Sequence, residues 1–460
     1  MLLCAQYVIP VTAEPIENGA VLVSDGKIKD IGAADMMKLR YPEESISDFG
    51  KAALTPGFID LYSCSEDAVL RGLIPDVPYT GWLRKVWELR SKLTKDEVYN
   101  SAFLGVLESI SSGITTMADI TKTGGCVKAA QEIGIRGVFY HEVNAVEKKL
   151  INYAIKKATE DLKKWDSEID SERIKLGLAP AQVFRCHPQL YRAITDYANK
   201  HGDIPIALRL AGSTEEYRFV KVGATLGEGD TDERVDIEGY MEFPPWLPTS
   251  VTPVNYVLNW GALNAKNVLA IHCAKVDDSD VETLKSHDIA IAVCPTINAQ
   301  LGMGAAPISE FIRSGMRVGI STNAPAALDF VDIFTEMRVA LLIQRAMNAG
   351  SHDFLSSQTL MEMGTIRAAE ALHIDDKVGS LEIGKEADIV AIDLSGSHQI
   401  PTNDPVTAVL SSSTASDVMM TMVGGNILYD SGRWNIDADV SKNLQRILEI
   451  RARLRAAQTK

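Results

Sequence analysis

The fold is decided by NVLAIHCA (residues 267–274), which is followed by IAIAVCPT (289–296) and then by MRVGISTNA (316–324). Each is a short apolar run, as expected of a strand that is buried on both faces. Working towards the N-terminus, five similar runs precede them: LTPGFIDLYS (54–63), GITTMADI (113–120), IRGVFYHEV (135–143), IKLGLAPA (174–181) and IPIALRLAG (204–212). Stretches with apolar residues at helical spacing separate the runs. Eight strands alternating with helices predict an α/β fold, a (β/α)8 barrel.

Both ends of the chain have a different pattern. Residues 20–32, AVLVSDGKIKDIG, alternate apolar and polar positions around Asp25-Gly26, which indicates a β-hairpin. A similar β-type pattern recurs in GSLEIGKEADIVAIDL (379–394) and VMMTMVGGNILYDSGRW (418–434). We therefore expect a composite β-sandwich domain from both termini (1–55 plus 376–435), a barrel over 56–375 and a C-terminal helix over 436–460.

Composition excludes several classes of protein. The 460 residues include 46 Lys plus Arg against 61 Asp plus Glu, and the net charge of −15 disfavours binding to nucleic acid or to anionic membranes. The six cysteines form no CxxC pair. The N-terminus lacks the pattern of a secretory leader, and the long uncharged stretches contain prolines. We expect a cytoplasmic protein that binds neither nucleic acid nor membrane.

Five motifs together resemble one enzyme family. They are LTPGFIDLYSC (54–64), LRGLIPDVPYTGWL (70–83), SSGITTMADI (111–120), CPTINAQLGMGAAPISEFIRSGMRVGISTNA (294–324) and KVGSLEIGKEADIVAIDL (377–394). They resemble the amidohydrolase superfamily, within it the aminohydrolase and chlorohydrolase branch that includes guanine, cytosine and methylthioadenosine deaminases. The resemblance implies a distorted (β/α)8 TIM barrel with a composite β-sandwich. It also implies descent from enzymes that hydrolyse ring C–N or C–Cl bonds with a metal-activated water.

The metal ligands of that family are mostly replaced. The resemblance places a His-x-His pair at Tyr62 and Cys64, a third His at Arg209, a fourth at His272 and an Asp at Asn323. Only His272 is retained. A guanidinium at position 209 would repel a cation, so we expect no metal cofactor. In the alternative hypothesis, in which the protein is an active enzyme, we expect a divalent zinc or iron ion.

The family's groups for proton transfer are also missing. The position of the glutamate that shuttles protons is Gly212, and two further histidine positions are Lys275 and Val293. The chain has eight histidines, none in a His-x-His pair. We therefore expect the metal-dependent deaminase activity to be absent.

A different chemistry could use the same positions. Cys64 beside Arg209 and His272 could have a lowered pKa and act as a nucleophile, with His272 as a second catalytic group. The plainer interpretation, which we favour, is that Cys64 fills the volume of an imidazole and His272 is a hydrogen-bonded core residue. A soft metal held by Cys64, His272 and Cys294 is disfavoured by Arg209.

Further candidates concern ligand binding. Arg209 and Arg71 could together bind a carboxylate or phosphate, although Arg71 could equally form a loop ion pair. Tyr62, Asn323 and Asn298 are further candidates, and Asn298 and Asp60 could instead hold loops.

Two features near the barrel mouth each allow two interpretations. Trp82 and Trp87 could line a pocket for a planar ring, although packing is the commoner role for such residues. The acidic segment 227–243 is a solvated loop or, alternatively, a lid or docking element.

Three hypotheses about function follow. The first is a former deaminase that binds a small ligand, heterocyclic or anionic, in the old site. The second is an active C–N hydrolase with chemistry rebuilt around Cys64, Arg209 and His272. The third is a non-catalytic subunit or scaffold, such as the inactive subunit of a hetero-oligomer with an intact relative. We favour the first. Whichever function holds, a homodimer and such a hetero-oligomer are the candidate assemblies.

Overall fold

The structure is a computed structural model that describes residues 1–225, 235–236, 248–350 and 354–458. The acidic segment 227–243 lies outside the described residues, apart from the pair Val235–Asp236. Its proposed role as a lid or docking element therefore stays a prediction.

The described residues contain nineteen β-strands, numbered here in chain order. They are β1 Leu2–Val8, β2 Ile16–Ser24, β3 Lys27–Ala33, β4 Ile46–Asp48, β5 Ala52–Pro56, β6 Phe58–Ser63, β7 Ile114–Thr121, β8 Arg136–Val143, β9 Ile174–Pro180, β10 Ile206–Leu210, β11 Ala224–Thr225, β12 Val235–Asp236, β13 Val268–His272, β14 Ala290–Val293, β15 Val318–Ile320, β16 Ile389–Asp393, β17 Val418–Val423, β18 Asn426–Asp430 and β19 Arg433–Trp434.

The same residues contain seventeen α-helices. They are α1 Ala34–Arg40, α2 Tyr79–Arg90, α3 Lys95–Ser111, α4 Gly125–Ile133, α5 Ile151–Asp166, α6 Pro188–Lys200, α7 Thr214–Val222, α8 Pro253–Asn259, α9 Asp278–Ser286, α10 Pro295–Gln300, α11 Ile308–Arg313, α12 Pro325–Leu328, α13 Ile333–Met347, α14 Ser357–Met363, α15 Ile366–Ala371, α16 Pro405–Ser412 and α17 Val440–Gln458.

The eight apolar runs of the sequence form the barrel, as predicted. They are β6 to β10 and β13 to β15, paired in parallel and in chain order. Strand β14, AIAV, is apolar and buried along its whole length, which explains why its pattern does not alternate. A parallel bridge between Ser63 and Asn323 brings the last strand back to the first. The barrel therefore closes at Asn323, one of the predicted site residues, against the strand that carries Tyr62.

The first run, LTPGFIDLYS, divides between two sheets. Strand β5 pairs with β1 and β16 outside the barrel, and β6 pairs with β7 inside it. Gly57 stands between them, where an added Cβ would lie 2.0 Å from the Thr115 hydroxyl oxygen. Only a residue without a side chain fits at this crossing.

A nine-stranded sheet forms the second unit, with strands from both ends of the chain. Its order is β19-β18-β17-β16-β5-β1-β2-β3, with β4 paired to β1. The β2–β3 turn is Asp25-Gly26, with φ of 52° and 73°, as the hairpin pattern predicts. The sheet has its own apolar core, which includes Leu3 and Ile389. The predicted architecture, a barrel with a β domain from both termini, is confirmed.

The C-terminal segment is helical over Val440–Gln458 and packs on α3. Asn443 of this helix donates a hydrogen bond to Asn100 of α3 at 3.1 Å. Helix α3 begins at a capping box in which Thr94 and Glu97 satisfy each other's backbone N–H groups. Among the described residues, no helix is long and apolar enough to cross a membrane.

Candidate functional site

A cavity of about 50 Å³ lies at the carboxyl ends of the barrel strands. We call it the barrel cavity; it is lined by Tyr62, Cys64, Asp67, Tyr79, Trp82, Leu83, Val86, Trp87, Arg90, Glu142, Gln182, Val183, Phe184, Arg209, Gly212, Glu216, His272, Ile297, Leu301, Met303 and Asn323. Barrel enzymes place their chemistry at this end of the strands. The five family ligand positions predicted from the sequence are thus brought together.

Arg209 joins the strands at the centre of the site. Its Nε donates a 2.8 Å hydrogen bond to the Tyr62 hydroxyl, and one terminal nitrogen donates to Glu142 Oε2 at 2.9 Å. The guanidinium carbon lies 5.8 Å from the centre of the Tyr62 ring. With a side chain only 12% exposed, Arg209 is held in one place by strands β6 and β8.

Glu142 binds two cations. Its second oxygen, Oε1, lies 2.8 Å from Nζ of Lys122, which follows β7. Burial alone would raise the pKa of the Glu142 carboxyl, but the charges of Lys122 and Arg209 lower it well below its ordinary value. The Glu142 carboxylate is therefore ionised at neutral pH, between Lys122 and Arg209.

Arg209 keeps its charge although it is buried. Burial alone would lower its pKa, but Tyr62 and Glu142 together raise it above its ordinary value. A fixed positive charge consequently stands at the position where the sequence resemblance predicts a metal-binding histidine.

His272 is neutral and has one ring nitrogen engaged. Its Nδ1 lies 2.8 Å from Asn298 Oδ1, an acceptor, so Nδ1 carries the proton and Nε2 does not. Burial lowers the pKa of His272 to about 4, against the opposing effect of the Asn298 hydrogen bond and with a further contribution from Arg209. Asn298, which lies outside the cavity lining, acts as an orienting residue for this imidazole.

Cys64 does not have the environment of a nucleophile. Its Sγ lies 3.3 Å from the Tyr62 hydroxyl and 3.8 Å from Asn323 Oδ1, and its hydrogen-bond partners among the described residues do not include His272. Burial, reinforced by the charge of Asp67, raises the pKa of the Cys64 thiol to about 12. The prediction of a lowered thiol pKa is therefore wrong, because loss of hydration outweighs the lowering effect of the nearby cation, Arg90.

Arg71 is not brought to the site. It pairs with Glu108 of α3 and is absent from the lining of the barrel cavity, as expected for a loop ion pair. The prediction that Arg209 and Arg71 together bind an anion is therefore wrong. Trp82 and Trp87, in contrast, both line the cavity. Trp82 is also packed, with 8% of its surface exposed, so this residue both lines the cavity and contributes to the core.

Asn323 and Asp60 hold the barrel closed at the site. Asn323 donates its backbone N–H to the Tyr62 carbonyl at 2.8 Å, and its own carbonyl accepts from the Cys64 N–H at 3.1 Å. Asp60 is fully buried and accepts backbone hydrogen bonds from Tyr62 and Thr322. Asn323 Oδ1 nevertheless faces Cys64, so its side chain is available at the cavity.

Several strand ends at this mouth have left-handed backbone. Ala211, His272, Cys273 and Asn323 have φ of 49°, 77°, 46° and 60°. Such conformations cost roughly 1–3 kcal/mol each for residues with a side chain and cluster at functional sites. Glu216 stabilises one of them by accepting the backbone N–H groups of Ala211 and Gly212 at 2.9 and 2.8 Å.

The described residues do not fit a divalent metal. The five family positions present a phenol, a thiol, a guanidinium, one imidazole and an amide, and the guanidinium is already bonded to Tyr62 and Glu142. No three His, Cys, Asp or Glu side chains in the described part of the chain are placed to hold a metal ion. This donor set favours neither zinc nor iron.

Sequence reasoning missed Glu142 and Lys122. Both lie at the carboxyl ends of buried strands, in YHEV and DITK, and a charged residue at that end of a barrel strand is a signal that could have identified them. It also missed the buried pair of Asp67 and Arg90, in which an Arg90 terminal nitrogen lies 2.6 Å from Asp67 Oδ2. That pair joins the segment after β6 to α2, which no local pattern indicates.

Comparison with known proteins identifies the family of the chain. The amidohydrolase family pattern matches residues 53–428. A 5-methylthioadenosine/S-adenosylhomocysteine deaminase from Thermodesulfovibrio yellowstonii is 30% identical over 447 residues, which cover 95% of this chain and 94% of the relative. The chain belongs to the amidohydrolase family, as the sequence motifs predict.

Solved structures show the same fold. An adenosine deaminase from Xanthomonas campestris with bound zinc has a TM-score of 0.84 at 20% identity, covering 99% of this chain and 98% of the other. Atrazine chlorohydrolase from Arthrobacter aurescens TC1, complexed with zinc, has a TM-score of 0.82 at 20% identity, covering 98% and 99%. At this identity the likeness shows the fold alone.

Proposed function

We propose that this chain is a deaminase-like amidohydrolase whose barrel cavity binds a small uncharged heterocycle and does not carry out the metal-dependent hydrolysis of C–N bonds. The observation that carries this proposal is that Arg209, at a position where the family resemblance implies a metal-binding histidine, is bonded to Tyr62 and Glu142. A guanidinium does not lose its proton in proteins, so a metal ion would have to bind beside a permanent positive charge.

Hydrolysis of a ring C–N bond also needs an activated water or another nucleophile. The one retained family ligand, His272, has a free Nε2, but the described residues place no metal-binding group of three side chains around it. Cys64, with its raised pKa, is almost entirely in the thiol form at neutral pH. These observations favour ligand binding over an active site rebuilt around Cys64, Arg209 and His272.

The lining of the cavity favours a neutral planar ligand over an anion. Arg209 and Arg90 are matched in the lining by Glu142 and Asp67, so neither arginine of the lining is left uncompensated to attract an anion. Most of the remaining lining is aromatic or aliphatic, Trp82 included, and the other polar side chains in it are Gln182, Glu216, His272 and Asn323.

Ligand entry requires movement. A volume of about 50 Å³ is far below the roughly 300 Å³ of a small drug-binding pocket. Side chains of the lining must therefore shift when a heterocycle enters.

Calorimetric titration with purines, pyrimidines and triazines tests the binding proposal. We expect one of these classes to bind with one site per chain. The matched variant is Gly212→Val, since a Cβ there would lie 3.2 Å from Met303 Cε and 3.3 Å from the His272 ring and would fill the cavity. Gly32→Val is the control, because a Cβ at Gly32 meets Met37 only at 3.7 Å. Binding that survives Gly212→Val, or no binding by any class, contradicts the proposal.

Restoration of the ligand set tests the loss of metal. The variant Tyr62→His, Cys64→His, Arg209→His and Asn323→Asp recreates the family set around His272. Removal of Arg209 leaves Glu142 facing the cavity with Lys122 as its remaining partner, and this carboxylate adds negative charge near the metal. We expect the restored protein to bind one zinc ion in equilibrium dialysis and the natural sequence to bind none at the same free zinc concentration. Equal zinc binding by both proteins would contradict the argument from Arg209.

A further inference from the structure

A second cavity of about 490 Å³ adjoins the barrel cavity and shares Trp87 and Arg90 with it. We call it the basic cavity; it is lined by Glu66, Trp87, Arg90, Ser91, Leu93, Lys95, Val98, Lys122, Thr123 and Arg185. Its four cationic residues face one carboxylate, in a protein whose net charge is −15. Positive charge is thus concentrated in the basic cavity although the chain as a whole is negatively charged.

Two of the four cations are already paired. Arg90 is bonded to Asp67 through two nitrogens, and Lys122 lies 2.8 Å from Glu142. The other two, Lys95 and Arg185, have no side-chain hydrogen bond or ion pair with any described residue. The single lining carboxylate, Glu66, has its Oε1 occupied by the hydroxyl groups of Thr121 and Thr123 and by the N–H of Gly125.

Arg185 is preorganised for binding. It ends a short 3₁₀ helix over Val183–Arg185, and its guanidinium carbon lies 4.9 Å from the centre of the Trp87 ring. Contact with the indole restricts the guanidinium while leaving its N–H groups unused, so little side-chain entropy remains to be lost on binding. The neighbouring cations repel one another: although Glu142 opposes the shift, burial together with the charges of Arg90 and Arg185 lowers the pKa of Lys122.

We propose that the basic cavity binds a phosphate group, with Arg185 as its principal ligand and Lys95 and Lys122 contributing charge. Two cations without carboxylate partners match a dianion, whereas a carboxylate would compensate only one of them. Arginine presents a planar set of donors that suits the tetrahedral oxyanion. This site is distinct from the barrel cavity, although the two share Trp87 and Arg90.

Titration of the full chain with inorganic phosphate tests the proposal. We expect one saturable site, with binding about tenfold or more weaker in Arg185→Gln, which removes a charge-assisted hydrogen bond. Arg446→Gln is the matched control, because Arg446 lies on α17, outside the basic cavity, and pairs with Glu449 of the same helix.

Acetate is the second probe and tests the charge of the ligand. Phosphate binding that Arg185→Gln weakens and Arg446→Gln leaves unchanged, with acetate at least about tenfold weaker than phosphate, supports the site. Absence of a saturable phosphate site, equal weakening by both variants, or acetate binding as tightly as phosphate each overturns it. Circular dichroism of Arg185→Gln establishes that the variant is folded.

Discussion

Replacement of Glu142 by glutamine is the perturbation that most directly tests the ion network at the barrel mouth. The substitution keeps the shape of the side chain but removes the charge that both Arg209 and Lys122 contact. Removal of one partner from a buried ion pair costs roughly 3–5 kcal/mol, because the other charge stays buried without compensation. Lys122 is 39% exposed and can be hydrated, so we expect a smaller loss, about 2–3 kcal/mol.

The expected change in melting temperature follows from the size of the chain. An unfolding entropy of about 2.1 cal/mol/K per residue gives about 1 kcal/mol per degree for 460 residues. Glu142→Gln should therefore lower the Tm by about 2–3 °C in differential scanning calorimetry. The control is Glu147→Gln, since Glu147 is 56% exposed and pairs with an exposed lysine, and its Tm should change by less than about 1 °C.

Two further measurements identify charge as the cause. Arg209→Met added to Glu142→Gln should cost less than the sum of the two single variants, because the unpaired guanidinium is removed. The folded-state pKa of Glu142 is lowered, so its contribution is present above the unfolded pKa of about 4.3 and is lost as the pH falls through the folded value. The Tm difference should therefore begin to close below about pH 4. Equal Tm values for Glu142→Gln and the natural chain at pH 7, or strictly additive variants, would refute the reasoning.

Two other predictions concern the remaining polar groups of the cavity. The pKa of His272 is lowered to about 4 in the folded state, whereas an unfolded histidine titrates near about 6.5 and binds the extra proton between these values. Stability should therefore rise by about 2 kcal/mol from about pH 5 to pH 7 through this group, and His272→Gln should lose that increment in urea titrations; an unchanged pH dependence would contradict the assignment. Cys64, with a thiol pKa of about 12, should resist iodoacetamide at about pH 8 as fully as the buried Cys126 in peptide mass spectrometry, and selective labelling of Cys64 would reopen its role as a nucleophile.

The sequence predicts the barrel well because its strands are buried on both faces. A run such as AIAV in β14 is apolar and buried along its whole length, so the pattern is visible without any neighbour. The division of the first run between two sheets could not be predicted in the same way. It depends on the packing of Gly57 against Thr115, a residue distant in sequence.

The positions of the site residues were predictable, but their electrostatics were not. Family motifs placed Tyr62, Arg209 and His272 at one mouth, and the structure brings them together. The pKa of Cys64 could not be inferred because it depends on how completely the thiol is excluded from water. The role of Glu142 was not predicted because it depends on ion pairs with Lys122 and Arg209, which lie elsewhere in the sequence.

The metal content of the purified chain tests the central claim most directly. The protein should be produced without an affinity tag in medium supplemented with zinc, iron and manganese, and analysed by elemental mass spectrometry. Since Arg209 stands bonded to Tyr62 and Glu142 at the family's metal position, we predict far less than one equivalent of any of these metals per chain. One equivalent of zinc or iron, lost on substitution of His272, would contradict this account and return the protein to the metal-dependent deaminases.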